Sequence, residues 1–495
     1  MVSFSRRDFL AASMAASVAT QFPRLAHASG QTPASTMRLT ASSRTLDVNG
    51  RAATVWSLQS ATQQGLVLEP EQRFRVELAN AMPEPTLIHW HGQIPPNAQD
   101  GVPDLPMPML KPGETRQYDF AARAGTHWMH AHIPMQEMRL LAAPLIVRTQ
   151  ADVKADQQEV VMMLHDFAFD PPQEVIQRIA GGHTSAGHSG MNHGAMPKEN
   201  SEPVHSMAGM NHSTMMSGMS GMGGMEMDLN DYDWDAYLTN DRTLTDPEVV
   251  RIERNTRIRL RIINAASATV FWIDTGTASA RLVAVDGEAV QPLAGTRFGI
   301  SMGQRLDVEL QLSGSGAWPI LALREGAQER TGLILATQGA KIPKLSPLSE
   351  HKAPAFDTDL AQESRLVALN PLPQRTADRS PMLMLGGTMQ PYRWTINNRI
   401  WGEHAPVTAR SGERVEIMFH NMSMMAHPMH LHGHSFQVVE INGKRMRGAR
   451  RDTVHVPPMA TVTIALDAGE AARWMLHCHH MPHLETGMMT EFAVS

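Results

Sequence analysis

Four short motifs carry two imidazoles each: His89-Trp90-His91-Gly92, His130-Ala131-His132, His430-Leu431-His432 (the end of His427-Pro428-Met429-His430-Leu431-His432) and His477-Cys478-His479. On a β-strand, residues i and i+2 face the same side, so each His-x-His aims both rings at one place. Eight such imidazoles are far too many for one tetrahedral zinc and suit a cluster of several metals. One His-x-His is commonly an ordinary surface or core pair; four of them, two near each end of the chain, call for another explanation.

The fourth motif separates into two sites by the same strand geometry. If His477 and His479 face the cluster, Cys478 faces the opposite way and its thiolate belongs to a different metal. His483 and Met488 follow in His-Cys-His-x-x-x-His-x-x-x-x-Met, and His427 can join from the third motif. Two His, one Cys and a weak axial Met form the trigonal ligand set of a blue-copper electron-transfer site. A lone cysteine is elsewhere most often a small buried hydrophobe. Being the only one, it also excludes an intrachain disulfide framework and any cysteine-rich zinc or iron–sulfur site.

Short strands must position these groups. Phe74–Leu78, Arg257–Ile263 and Arg414–Phe419 alternate apolar and polar residues with the period of half-buried strands, whereas long stretches at helical period are scarce. That pattern predicts β-sandwiches or barrels. A faint repeat accompanies it, because Asn80, Asn264 and Asn421 each close one of these strands. Three related domains follow, expected at 36–150, 157–340 and 357–495.

Two segments stand outside that frame. Ser5-Arg6-Arg7-Asp8-Phe9-Leu10 precedes a weakly apolar stretch and a small-x-small site, Ala26-His27-Ala28, so residues 1–28 resemble a twin-arginine signal for export to the periplasm. Residues 181–227, rich in Gly, Ser, Met and His, hold almost no large apolar residue apart from Met and cannot bury a core. This insertion reads either as a biased linker or as a low-affinity copper collector, since thioether and imidazole suit Cu(I). With 36 Met and 24 His the whole chain leans the same way. A formal charge of −6 gives no reason to expect nucleic acid or an anionic membrane as partner. No segment after the signal approaches the ~18 continuous apolar residues of a membrane span.

In order and spacing the four motifs resemble the signature of the multicopper oxidases, which include laccases, ascorbate oxidases, bilirubin oxidases and bacterial cuprous oxidases. The resemblance covers nearly the whole chain after the signal and implies an all-β fold of three cupredoxin-like Greek-key β-sandwich domains, with ligands in the first and last. It implies four copper ions: type 1 at His427, Cys478, His483 and Met488, type 2 at His89 and His430, and the type 3 pair at His91, His130, His132, His432, His477 and His479. Met488 implies an axially ligated type 1 site of moderate potential. Electrons from substrate are expected to pass through Cys478 to the cluster, where dioxygen becomes water. Asp100, nine residues beyond His91, matches an acidic position that relatives use for proton delivery, although an Asp before Gly101 also suits a plain turn. His127, His434 and His480 match no ligand and are read as supporting or surface residues, His165 and His404 lie outside all motifs, and Trp90 and Trp128 are read as packing.

The substrate end departs from the nearest pattern. Several relatives carry Glu directly after the residue matching His483, where this chain has Leu484; Glu485 follows, and on an extended strand it would point to the other face. Met425 matches a cuprous-site Met of copper-efflux oxidases, but the accompanying acidic residue is replaced by Ser423. Cu(I) oxidation in copper tolerance is one expectation, and laccase-like oxidation of small phenols and aromatic amines the other. A periplasmic copper-sequestering binder is the reading of a different class, distinguishable because it consumes no dioxygen in turnover. A copper nitrite reductase has no need of eight clustered His. A monomer is expected.

Overall fold

In the computed structural model, residues 36–181 and 229–495 are described. The expected signal, 1–28, and the Met/His-rich tract beyond Gly181 lie outside them. Among the described residues the strands form six sheets in three sequential pairs. The first pair has four strands in each sheet and runs from Met37 to Val147. Sheets of six and five strands follow between Gln158 and Thr337, then sheets of seven and five between Met382 and Val494. In the first pair, alternate residues of the two sheets meet face to face: Leu39, Phe74, Val76 and Tyr118 from one pack with Leu66, Met129 and Leu145 from the other. A second apolar cluster is continuous from the middle pair (Ile262, Phe271, Leu335) into the last (Ile417, Val462, Phe492). The expected all-β architecture of three cupredoxin-like sandwiches is the observed one.

The three alternating segments are strands Phe74–Asn80, Arg257–Asn264 and Arg414–Asn421. Each has a parallel partner that precedes it in the chain and an antiparallel partner that follows. Their closing asparagines explain the faint repeat. Asn80 donates its amide to the carbonyls of Glu84 and Leu110 and accepts the Met82 N–H. Asn264 does the same with Thr269, Ile300 and Ala266, and Asn421 with Met425, Val456, Pro457 and Ser423. A buried amide that satisfies carbonyls on two separate segments ties the end of a strand to the loop it enters.

Helices are few and short, and one overturns an expectation. After Cys478 the chain does not continue as a strand but turns into helix Met481–Glu485, opened by Pro482, which carries no N–H a helix start would need. Glu485 is exposed on it, so the helix, rather than strand alternation, turns its carboxylate away. No helix among the described residues is long and apolar enough to cross a membrane.

Asn264→Ala removes three buried hydrogen bonds at a site remote in sequence from every candidate ligand. It is expected to cost about 2–3 kcal/mol, read as a lowered denaturation midpoint of the metal-free chain.

Candidate metal centre

Strand pairing brings the motifs together two by two. Strand Ile88–His89 pairs with Gly125–Ala131 so that His89 faces His130. Strand His427–Leu431 pairs with Arg473–Cys478 so that His430 faces His477 and Met429 faces Cys478. The first and last sandwiches then meet ring to ring. Between them His89 Nε2 lies 3.4 Å from His430 Nε2; within the first, His91 Nδ1 lies 3.4 Å from His130 Nε2, and within the last, His432 Nε2 lies 3.1 Å from His477 Nε2. Three overlapping groups, His89/His91/His130, His89/His430/His432 and His132/His432/His477, each hold their donor atoms within 4.8 Å of one another. His479 joins them with its ring 5.0 Å from that of His91 and 5.2 Å from that of His130. All eight predicted imidazoles therefore converge.

Outer hydrogen bonds fix which nitrogen faces inward. The Nδ1–H groups of His89, His430 and His477 donate to the carbonyls of Asp100, Asp452 and Cys478 at 2.8, 2.8 and 2.9 Å. Those of His432 and His130 donate to Asp100 Oδ2 and Glu137 Oε2 at 2.8 and 2.7 Å. An acceptor at Nδ1 holds the proton there and leaves Nε2 as the free lone pair. His91 is reversed: Nε2 lies 3.2 Å from Asp452 Oδ1 and 3.1 Å from Thr453 Oγ1, so Nδ1 is the inward atom. Burial, reinforced by the neighbouring rings, pushes His91, His430, His432 and His479 well below the ordinary histidine range. That shift favours the neutral form, which ligation requires. His132 Nε2 and both nitrogens of His479 are enclosed without a hydrogen-bond partner. Buried polar atoms are normally paired, so a convergent set with such orphans fits a group of metal ions.

On the opposite face of the same strand, Cys478 Sγ lies 3.8 Å from His427 Nδ1 and 3.6 Å from His483 Nδ1, and these two nitrogens are 3.1 Å apart. The Met488 side chain is fully buried, and its backbone is tied to both ligand residues, accepting the Cys478 N–H and donating to the His483 carbonyl. Ser423, read as a break in the pattern, accepts the His427 Nε2–H at 2.8 Å while donating to Asn421, which leaves His427 Nδ1 free to ligate. Burial pushes the Cys478 thiol far up, so metal must displace its proton.

Asp100 is buried within reach of two rings, with Oδ1 3.4 Å from His89 Nδ1 and otherwise unpaired. It is also a turn residue, closing the short helix Asn97–Gln99 before Gly101, whose φ is +88° and where a Cβ would strike the Ile88 carbonyl. His127, His434 and His480 are buried, not on the surface, and His480 stacks on His483 at 3.8 Å. Trp128 stacks on His130 at 4.2 Å. Several supporting groups escaped the sequence reading: Glu137, Asp452, Arg305 and Asp231. Arg305, from the middle sandwich, pairs with Asp452 at 2.7 Å. Asp231 accepts the Tyr392 hydroxyl at 2.6 Å and stands 3.4 Å from His480 and 3.7 Å from His483. Of these only Glu137 lies near a motif, five residues after His132; the others carry no local signal in the sequence.

Such a centre, spread over the outer two of three cupredoxin-like sandwiches, defines a copper-binding oxidoreductase. Multicopper oxidase family models match residues 42–152, 186–340 and 375–495. The chain is 30% identical to the multicopper oxidase MmcO of Mycobacterium tuberculosis over 84% of its own length and 78% of that protein's. It is 24% identical to copper resistance protein A of Escherichia coli, covering 85% of this chain and 86% of the other. Among solved structures, Fet3p, described as a multicopper oxidase that functions in iron import, shares the fold with a TM-score of 0.71 at 16% identity, over 92% of this chain and 90% of that one. The chain belongs to the multicopper oxidase family.

Cys478→Ser is expected to abolish the visible thiolate absorption of the copper-loaded protein while the imidazole cluster still takes up metal. A retained band would remove Cys478 from the site.

Proposed function

We propose that this chain holds four copper ions and oxidises Cu(I) in copper tolerance, with dioxygen as acceptor. One ion falls to His427, Cys478, His483 and Met488, one to His89 and His430, and a pair to His91, His130, His132, His432, His477 and His479. Copper bound there supplies single-electron transfer at the thiolate and four-electron reduction of dioxygen to water at the cluster. Domain limits of 36–150, 157–340 and 357–495, and periplasmic export through residues 1–28, complete the reading.

The chain's own part is positioning. Cys478 lies between His477 and His479 in the sequence, so one stretch of backbone connects the electron-entry site to the cluster. Asp100 is the proposed carrier of protons, at Oδ1, which has no hydrogen-bond partner beside His89. The observation that carries the Cu(I) reading is a cavity of about 30 Å³ lined in part by Met302, Met424, Met425, Glu325 and His480. It adjoins the entry site through His480, stacked on His483, and thioether sulfur favours Cu(I). The match to copper resistance protein A supports the same reading. Laccase-like oxidation of phenols and aromatic amines is the second reading, favoured by the Asp231 carboxylate at the outer edge of His483, 3.7 Å from Nε2.

Protein lacking residues 181–227 is expected to lose Cu(I) oxidation at limiting Cu(I) while turning over a phenol unchanged. Undiminished Cu(I) oxidation would remove the collector role. Asp100→Asn is expected to slow dioxygen consumption ~10²-fold with the visible thiolate band intact; an unchanged rate would rule out Asp100 as the proton carrier.

A further inference from the structure

The acid that the resemblance expects directly after His483 is missing, and Leu484 stands in its place. A different carboxylate faces the ligands from a helix packed against the one that carries Leu484. Glu137 ends the short helix Pro134–Glu137 that follows His130-Ala131-His132. Gln136 pins that helix, accepting the Thr86 hydroxyl at 2.7 Å and donating to Glu84 and to the Pro85 carbonyl. Glu137 is only 2% exposed. Its Oε2 takes the His130 Nδ1–H at 2.7 Å, while Oε1 lies 4.0 Å from His479 Nδ1. Neither Oε1 nor His479 Nδ1 has any other hydrogen-bond partner. A buried carboxylate oxygen without a donor and a buried ring nitrogen without an acceptor thus face each other across a gap slightly longer than a hydrogen bond.

We propose that Glu137 is a positioning residue that serves two ligands at once, His130 from the first sandwich and His479 from the last, holding both as Nδ1–H tautomers with Nε2 free for copper. Closing the 4.0 Å gap pairs both orphan atoms. His479 then carries its proton outward, as five of the other rings already do through their own Nδ1 partners. One carboxylate spanning the two sandwiches also couples ligand orientation to their docking. Only an ionised carboxylate does this, because each of its oxygens accepts. A glutamine of the same shape has one accepting and one donating end. If its oxygen faces His130, its N–H₂ forces His479 to accept at Nδ1 and carry its proton on Nε2, where it cannot ligate. The reverse orientation sets two donors against each other at His130, leaving only the Ala131 carbonyl, 3.1 Å from Nδ1, to hold that tautomer.

The inference rests on reading the imidazoles as copper ligands. Wild type, Glu137→Gln and Glu137→Asp should be titrated with copper against a competing chelator, and each metal-free protein melted. Second-sphere partners of metal-ligating histidines are worth about 10–100-fold in affinity, so Glu137→Gln is expected to weaken the cluster by that factor at an unchanged metal-free melting temperature. Glu137→Asp, which keeps two accepting oxygens, should recover most of the loss. Glu137→Gln binding within threefold of wild type would overturn the proposal, as would Glu137→Asp binding no better than Glu137→Gln. Should Glu137→Gln fail to fold, Glu137→Asp decides alone: affinity within about threefold of wild type supports the proposal and a larger loss overturns it. A wild-type chain that takes up no copper would instead defeat the ligand reading itself.

Discussion

Eight imidazoles can share one buried space only if none carries a proton on its inward nitrogen, and the rest of the molecule is arranged around that requirement. Burial disfavours a charged ring but does not choose the tautomer. Acceptors outside the ring do, and among the described residues three buried carboxylates each lie against two of these eight rings: Asp100 at His432 and His89, Asp452 at His91 and His430, and Glu137 at His130 and His479. Unpaired carboxylates at that depth would be costly. Asp452 is offset by Arg305, itself fully buried and held by the carbonyls of Gly303 and Thr126. Losing one partner of such a pair costs about 3–5 kcal/mol, because the other is left charged in a poor dielectric. The middle sandwich, which donates no candidate ligand, thereby becomes necessary to the site.

The second constraint is that two sites with different chemistry share one strand. Arg473–Cys478 pairs with His427–Leu431 in a register that sets His430 opposite His477 and Met429 opposite Cys478. A slip by one residue would exchange the faces and put the thiol among the imidazoles. The Asn421 tie stands just before this strand pair. Asn421 holds the loop carrying Ser423 and Met425 just before His427, so the tie that closes the strand also orients the hydroxyl that sets the His427 tautomer.

The convergence of the candidate ligands was legible in the sequence because His-x-His on a strand is a local code: two residues apart means the same face, and no tertiary knowledge is needed. The supporting shell was not, because its contacts are not local. Asp100 reaches His432 and Asp452 reaches His91 across more than 300 residues of chain. Arg305 belongs to a sandwich with no motif at all. Glu485 points away as expected but on a helix instead of a strand, since Pro482 after His480 and Met481 is a helix-start signal that outweighs the alternation before it. Ser423 read as a missing acid, yet a hydroxyl that accepts from His427 while donating to Asn421 fixes the ring without placing a charge beside it. The asparagine repeat, faint as a pattern, proved to be one hydrogen-bonding device used three times.

Chain connectivity links the proposed collector to the proposed point of use. Residues 181–227 are followed almost at once by Leu229, which lines the Met302/Met425 cavity, and by Asp231, beside His480 and His483. Under the collector reading, copper held by the tract would be covalently joined to the segment that lines this cavity. Weak binding by the tract then suffices, and is preferable, because cargo bound tightly would not transfer. The insertion's position in the middle sandwich, which departs from the pattern of copper-efflux oxidases, follows the same logic. In this chain it is the middle sandwich's returning segment, 229–231, that reaches His480 and His483, so an insertion there is covalently next to the groups it would serve under that reading.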